Sequence, residues 1–173
     1  MKGPHNYMHK DDEYETPEYA VNIILPYLKP NSTIWCPFDK NHSNYVKCLT
    51  EAGNTVINSH IEYGQDFFTM DVPKNIDYIV SNPPYSKKNQ VYERLYEIGK
   101  PFAMLVNASG FADSLKRATL FAEKGVQIMY IYPRVCYIKD GIQTKGNIFQ
   151  SAYICKDVLP TDLMIHIEEK HHA

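Results

Sequence analysis

From residue 16 onward, apolar residues recur every three to four positions in some stretches and lie contiguous in others. That alternation predicts helices separated by short buried strands. Thr16-Pro17-Glu18 reads as a helix start, with a Thr cap and Pro at the first helical position. Val21, Ile24, Leu25 and Leu28 mark its apolar face, and Lys29-Pro30-Asn31 stops it. A strand over 33–36 leads into a loop over 37–42, then a helix carrying Tyr45, Val46 and Leu49 that ends near Gly53. Strands are expected over 54–58, briefly over 66–68, and over 77–81, the last running into Asn82-Pro83-Pro84-Tyr85. A helix over 88–98 places Val91, Leu95 and Ile98 in register, with Gly99 just past its end. A strand over 102–106, a helix over 113–123, and strands over 126–132 and 151–155 complete the reading, with Asp140-Gly141 in a turn.

Strand and helix alternating through short joints predict a mostly parallel sheet covered on both faces. The last two strands have no convincing helix between them and should pair antiparallel. In such sheets ligands gather beyond the carboxyl ends of the strands, where the loops 37–42 and 82–85 fall. The chain length, 173 residues, suits one domain, and 44% hydrophobic with 22% charged residues excludes wholesale disorder. We expect a polar segment over 1–15, one domain over 16–165, and a frayed terminus over 166–173. Four cysteines without a C-x-x-C pair argue against a zinc cage or disulfide scaffold. His42 and His60 read as solvated loop residues, so no metal site is expected. No apolar run approaches the roughly 20 residues that span a bilayer, and no apolar leader opens the chain, so a cytoplasmic protein without membrane contact is expected. Eighteen basic against twenty acidic residues leave a net charge of −2. Contact with nucleic acid would therefore be local or assisted by a partner, a second copy or a specificity subunit.

Asn82-Pro83-Pro84-Tyr85 carries the most chemistry. Two prolines fix φ and restrict the residues before them, so the turn is stiff. A stiff turn can aim the Asn82 amide oxygen and the Pro83 carbonyl at one point, with the Tyr85 ring alongside. Two converging acceptors suit a planar NH2 group and would localise its nitrogen lone pair. Neutral Asn is no strong base, so positioning would carry the catalysis. A Tyr85 ring stacked on a base would contribute about 1–3 kcal/mol. Lys87, Lys88 and Arg94 follow the turn, either as phosphate contacts or as a solvated helix face.

Residues 79–85, Ile-Val-Ser-Asn-Pro-Pro-Tyr, resemble the catalytic motif of S-adenosylmethionine-dependent amino-group methyltransferases, especially the adenine-specific DNA enzymes. Tyr14-Glu15-Thr16-Pro17 is similar to the segment that covers the cofactor's methionine end. Gly64-Gln65-Asp66-Phe67-Phe68 resembles the acidic-aromatic motif near its adenine. The resemblance implies a Rossmann-like class I methyltransferase core: a seven-stranded, mostly parallel sheet whose last strand is antiparallel. It implies Asn82, Pro83, Pro84 and Tyr85 as the catalytic turn. It also implies Tyr14, Thr16, Pro17, Pro37, Phe38, Asp39, Ser43, Asp66, Phe67 and Asn82 around S-adenosylmethionine. The acceptor implied is an adenine flipped out of DNA, and compact chains of this kind resemble phage or mobile-element proteins.

The first loop departs from the family's acidic, glycine-rich pattern. It reads Trp35-Cys36-Pro37-Phe38-Asp39-Lys40-Asn41-His42-Ser43, with Cys36 in place of the acid and Lys40 and His42 in place of glycines. Asp39 is the candidate substitute acid. Asn58-Ser59-His60 stands where a carboxylate usually meets the ribose. Two other readings stay open on these residues: a binding module on the same scaffold that has lost catalysis, or an enzyme acting on RNA adenine or a protein glutamine amide.

Overall fold

The computed structural model describes residues 14–144 and 149–169. Its strands are β1 (Thr33–Cys36), β2 (Thr55–Asn58), β3 (Tyr78–Ser81), β4 (Phe102–Asn107), β5 (Gln127–Tyr132), β6 (Ile138–Lys139), β7 (Ile142–Gln143), β8 (Ser151–Lys156) and β9 (Leu163–Ile167). The helices are α1 (Glu18–Asn22), α2 (Asn44–Glu51), α3 (Lys88–Ile98) and α4 (Leu115–Lys124). Seven strands form one sheet in the order β2-β1-β3-β4-β8-β5-β9, and β6 pairs with β7 in a separate hairpin. Strand β8 runs antiparallel to both β4 and β5, while the other ladders of the large sheet are parallel.

Contiguous apolar residues put side chains on both sheet faces, and the helices cover each face separately. Ile34, Val80, Leu105 and Tyr153 pack with Val21, Ile24 and Leu49 of the first two helical segments. Trp35, Ile79, Met104 and Ile154 pack with Val91, Leu95 and Phe121 of α3 and α4. Ser59 stitches the ends of β1 and β2, because its hydroxyl accepts from Trp35 Nε1 at 3.0 Å and its N–H donates to the Cys36 carbonyl at 3.0 Å. Those strand ends are therefore a fixed base for the loop that follows β1.

Three expectations are corrected. The first helix is α-helical only through Asn22, with Pro17 as its N-cap in place of Thr16; a 3₁₀ turn over Leu25–Tyr27 follows, and Pro26 within it has no N–H to continue the ladder. Residues 66–68 form a turn, not a strand: the Asp66 carboxylate accepts from Phe68 N–H at 2.9 Å, and its carbonyl accepts from Thr69 and Met70 N–H. This is the local side-chain turn that competes with a ladder. The end expected to fray from residue 166 is ordered at its start: His166 and Ile167 belong to β9, parallel to β5, and Glu168 N–H donates to the Tyr132 carbonyl at 2.7 Å. Residues 1–13, 145–148 and 170–173, which include most of the polar N-terminal segment, lie outside the described residues. Among the described residues no helix is long and apolar enough to cross a membrane.

Candidate active site

The carboxyl ends of β1, β2 and β3 open onto one cavity of about 670 Å³, within the roughly 300–1,000 Å³ of small-molecule sites. Among the sequence candidates, Tyr14, Thr16, Phe38, Asp39, Ser43, Asn82, Pro83, Pro84 and Tyr85 all line it. The wall also takes residues the motifs did not mark, among them Asn44, Tyr45, His60, Glu62, Lys88 and Tyr137.

Four candidates stand apart. Pro17 and Pro37 are buried behind the wall, Pro17 as the N-cap of α1 and Pro37 with its carbonyl accepting from Ser59 Oγ at 3.4 Å. Asp66 has its carboxylate engaged by the turn described above. Phe67 is fully buried, its ring 5.5 Å from Trp35 and 4.8 Å from Phe38. It therefore supports Phe38 from behind instead of facing the cavity.

The first loop is built around a buried acid. The Asp39 N–H donates to Ser59 O at 3.1 Å, and its carboxylate accepts from the hydroxyls of Ser81 and Ser43. Burial pushes this carboxyl up to about 6, against the two hydroxyl donors that pull it down. Ser43 also caps α2, accepting from Val46 N–H at 3.3 Å. Cys36, in the place of an expected acid, is buried, and burial followed by the Asp39 charge raises its thiol well above the usual range. The buried acid of this loop stands three residues beyond Cys36.

Lys40 and His42 leave the hollow open. The Lys40 ammonium pairs with Glu62 at 2.8 Å, and His42 Nε2 lies 3.8 Å from Glu15. The His42 side chain is 68% exposed and that of Lys40 32%, so both extend along the rim toward solvent. Glu62 sits in a 3₁₀ turn over Ile61–Tyr63, beyond the end of β2, where the motif comparison finds no carboxylate at Asn58-Ser59-His60. Its distance from the strand end hid it; the polar capping His60, which accepts Glu62 N–H at 3.2 Å, is the signal that a turn brings it back.

The turn at the end of β3 places Asn82, Pro83, Pro84 and Tyr85 on the cavity wall. Asn82 Nδ2 donates to Thr16 Oγ1 at 3.4 Å, which fixes the amide plane across the cavity. Its Oδ1 is buried and has no hydrogen-bond partner among the described residues. A buried amide oxygen left without a donor costs roughly 1–3 kcal/mol, so this atom calls for a donor that none of the described residues provides. Beside it, Tyr85 carries the Lys88 ammonium 5.7 Å from its ring centre, and Lys88, half-buried, is held below its usual range by burial and then by the Arg117 charge. The Tyr137 phenol, pushed far up by burial and then by neighbouring Tyr85, backs the ring from the β5–β6 side. Arg94 turns away, donating to the Met70 carbonyl at 3.1 Å.

No family model matches the sequence, and no curated protein matches it. Solved structures do. A protein described as a modification subunit of a type I restriction enzyme from Vibrio vulnificus YJ016 superposes with a TM-score of 0.51 at 12% identity, over 84% of this chain and 44% of that one. The fold is that of the Rossmann-like methyltransferases. The release factor-specific protein-(glutamine-N5) methyltransferase of Alicyclobacillus acidocaldarius gives a TM-score of 0.43 at 17% identity, over 90% and 98% of the two chains. Precorrin-6y C5,15-methyltransferase of Geobacter metallireducens gives 0.41 at 14% identity, over 85% and 95%. The chain thus spans less than half of the modification subunit.

Proposed function

We propose that this chain transfers a methyl group from S-adenosylmethionine to an exocyclic amino nitrogen, with an adenine in DNA as the acceptor. The observation that carries this reading is the unsatisfied Asn82 Oδ1, held at the cavity wall by a rigid turn beside an aromatic ring. An amino group offers the donor that this oxygen lacks. The cavity volume, the rim positions of Lys40 and His42, and a buried carboxylate without a cationic partner fit the cofactor.

Tyr14, Thr16, Phe38, Asp39 and Ser43 would hold it, with Asp39 meeting the ammonium of its amino-acid end and Glu62 the ribose hydroxyls. When bound, S-adenosylmethionine supplies an electrophilic methyl on sulfonium. The chain's own residues then prepare the acceptor. Asn82 Oδ1 and the Pro83 carbonyl take the two N–H bonds of the NH2 group, which draws the nitrogen lone pair out of conjugation with the ring. Tyr85 stacks on the acceptor and fixes its plane. The prolines keep both acceptors from relaxing, so no reorganisation is needed as charge develops. The three aromatic side chains Tyr14, Tyr85 and Tyr137 displace water from the same wall.

Radiolabelled S-adenosylmethionine incubated with the full chain and adenine-containing DNA tests this reading. The expected product is N6-methyladenine, identified by mass spectrometry of the digested DNA. Label in protein but not in DNA would replace adenine with a side-chain amide as acceptor, and no label anywhere would remove the enzymatic reading.

A further inference from the structure

The cations at the cavity mouth are distributed unevenly. Lys40 of the first loop is matched by Glu62, and Glu15, 3.8 Å from the His42 ring, and exposed Asp140 add further negative groups to the rim. Two lysines instead sit over aromatic rings. Lys88 Nζ lies 5.7 Å from the centre of Tyr85, and Lys139 Nζ lies 4.9 Å from the centre of Tyr14. Neither lysine pairs with a carboxylate among the described residues, and Lys88 donates only weakly, to the Ser109 carbonyl at 3.4 Å. The Tyr14 ring in turn meets Tyr137 edge-on at 6.4 Å, so the aromatic groups form a row along the cavity.

We propose that the acceptor reaches this site unpaired, as single-stranded DNA whose target base stacks on Tyr85 and whose phosphates meet Lys88 and Lys139. The proposal rests on the amino-methylation reading above and narrows its substrate. A ring beside an ammonium is the unit that tracks a single strand, since any base offers a face to stack and each nucleotide brings one phosphate. A duplex asks for something else. It presents the phosphates of both strands, about one charge per 1.7 Å of axis, and its target base must first be pulled from the stack. A rim that carries Glu15, Glu62 and Asp140, with Lys40 already paired to Glu62, on a chain of net charge −2, offers little to offset that extrusion. An unpaired base needs none.

The test uses the full chain, labelled S-adenosylmethionine, and one adenine-containing sequence in three forms: single-stranded DNA, the annealed DNA duplex, and single-stranded RNA. Transfer to single-stranded DNA is expected to exceed that to the duplex by about tenfold or more. A duplex methylated as fast or faster overturns the proposal and leaves the amino-methylation reading standing. Faster transfer to RNA overturns the choice of DNA strand. Transfer to none of the three overturns both. Binding supplies an independent readout: Lys139→Gln, a change at the partly exposed β6–β7 hairpin, should flatten the salt dependence of single-strand affinity by about 0.7 in log–log slope. An unchanged slope and affinity would show that the ring and lysine pair does not touch the strand, and the proposal would fall.

Discussion

A single buried carboxylate governs the first loop. Asp39 is pushed up to about 6 by burial, so between the usual 3.8 and that value the folded protein holds a proton that the unfolded chain has released. The sign follows: this group's contribution to stability is full at low pH and declines as pH rises through the window. Asp39→Asn should therefore raise stability at pH 7.5, by up to about 3 kcal/mol, and flatten the pH dependence between 4 and 6. Urea titrations at the two pH values check it. The same substitution should weaken S-adenosylmethionine binding about tenfold or more, and wild-type affinity should fall as pH drops below about 6, because only the ionised carboxylate pairs with an ammonium. The place of Asp39 at the cavity was legible, since it stands three residues beyond Cys36 in the loop after β1. Asp66 misled because an acid beside two phenylalanines reads alike whether it faces a ligand or closes a turn on Phe68 N–H. Tyr137 and Glu62 carried no motif; the His60-capped turn after β2 brings Glu62 to the wall, and tertiary packing brings Tyr137.

At the scale of elements, most of the sheet was legible because contiguous apolar runs flanked by amphipathic helices leave little choice of arrangement. Helix α3 begins and ends where its pattern and Gly99 place it. Strand β9 was not legible. Its sequence, Leu163-Met164-Ile165-His166-Ile167, alternates as a strand should, but it points Leu163, Ile165 and Ile167 to solvent and merges into a charged tail, so it reads as a terminus. What orders it is a turn fixed from outside. Gln127, the first residue of β5, accepts from Val158 and Leu159 N–H at 2.9 Å each and donates to the Leu159 carbonyl at 2.7 Å. Gln127→Ala would leave those backbone groups without their partner and should cost about 1–3 kcal/mol in urea unfolding, with exchange of the β9 amides accelerated before the rest of the sheet. Equal protection of β9 in the variant would mean that the strand is held by its β5 ladder alone.

Across the whole molecule, the sheet ends supply a rigid floor and the loops after β1 and β3 supply opposing walls. A buried tyrosine chain links the helical layer to this floor: Tyr45 and Tyr153 hydroxyls meet at 3.1 Å, and Tyr153 donates to the Ala20 carbonyl at 2.9 Å. Ala20 lies in the helix that follows Tyr14 and Thr16, so packing on one face of the sheet sets where those two wall residues stand. The cavity is thus shaped by elements far apart in the chain, while the acceptor end depends on one tetrapeptide. That division separates binding from turnover. The most direct measurement compares the wild-type chain with Asn82→Ala for two quantities, S-adenosylmethionine affinity by calorimetry and methyl transfer to DNA. Turnover should fall by about 100-fold or more with affinity changed little, because the lost oxygen serves the amino group and the one bond lost toward a cofactor-holding residue, Nδ2 to Thr16 Oγ1 at 3.4 Å, is long. Parallel loss of both, or turnover that survives the substitution, would contradict the account.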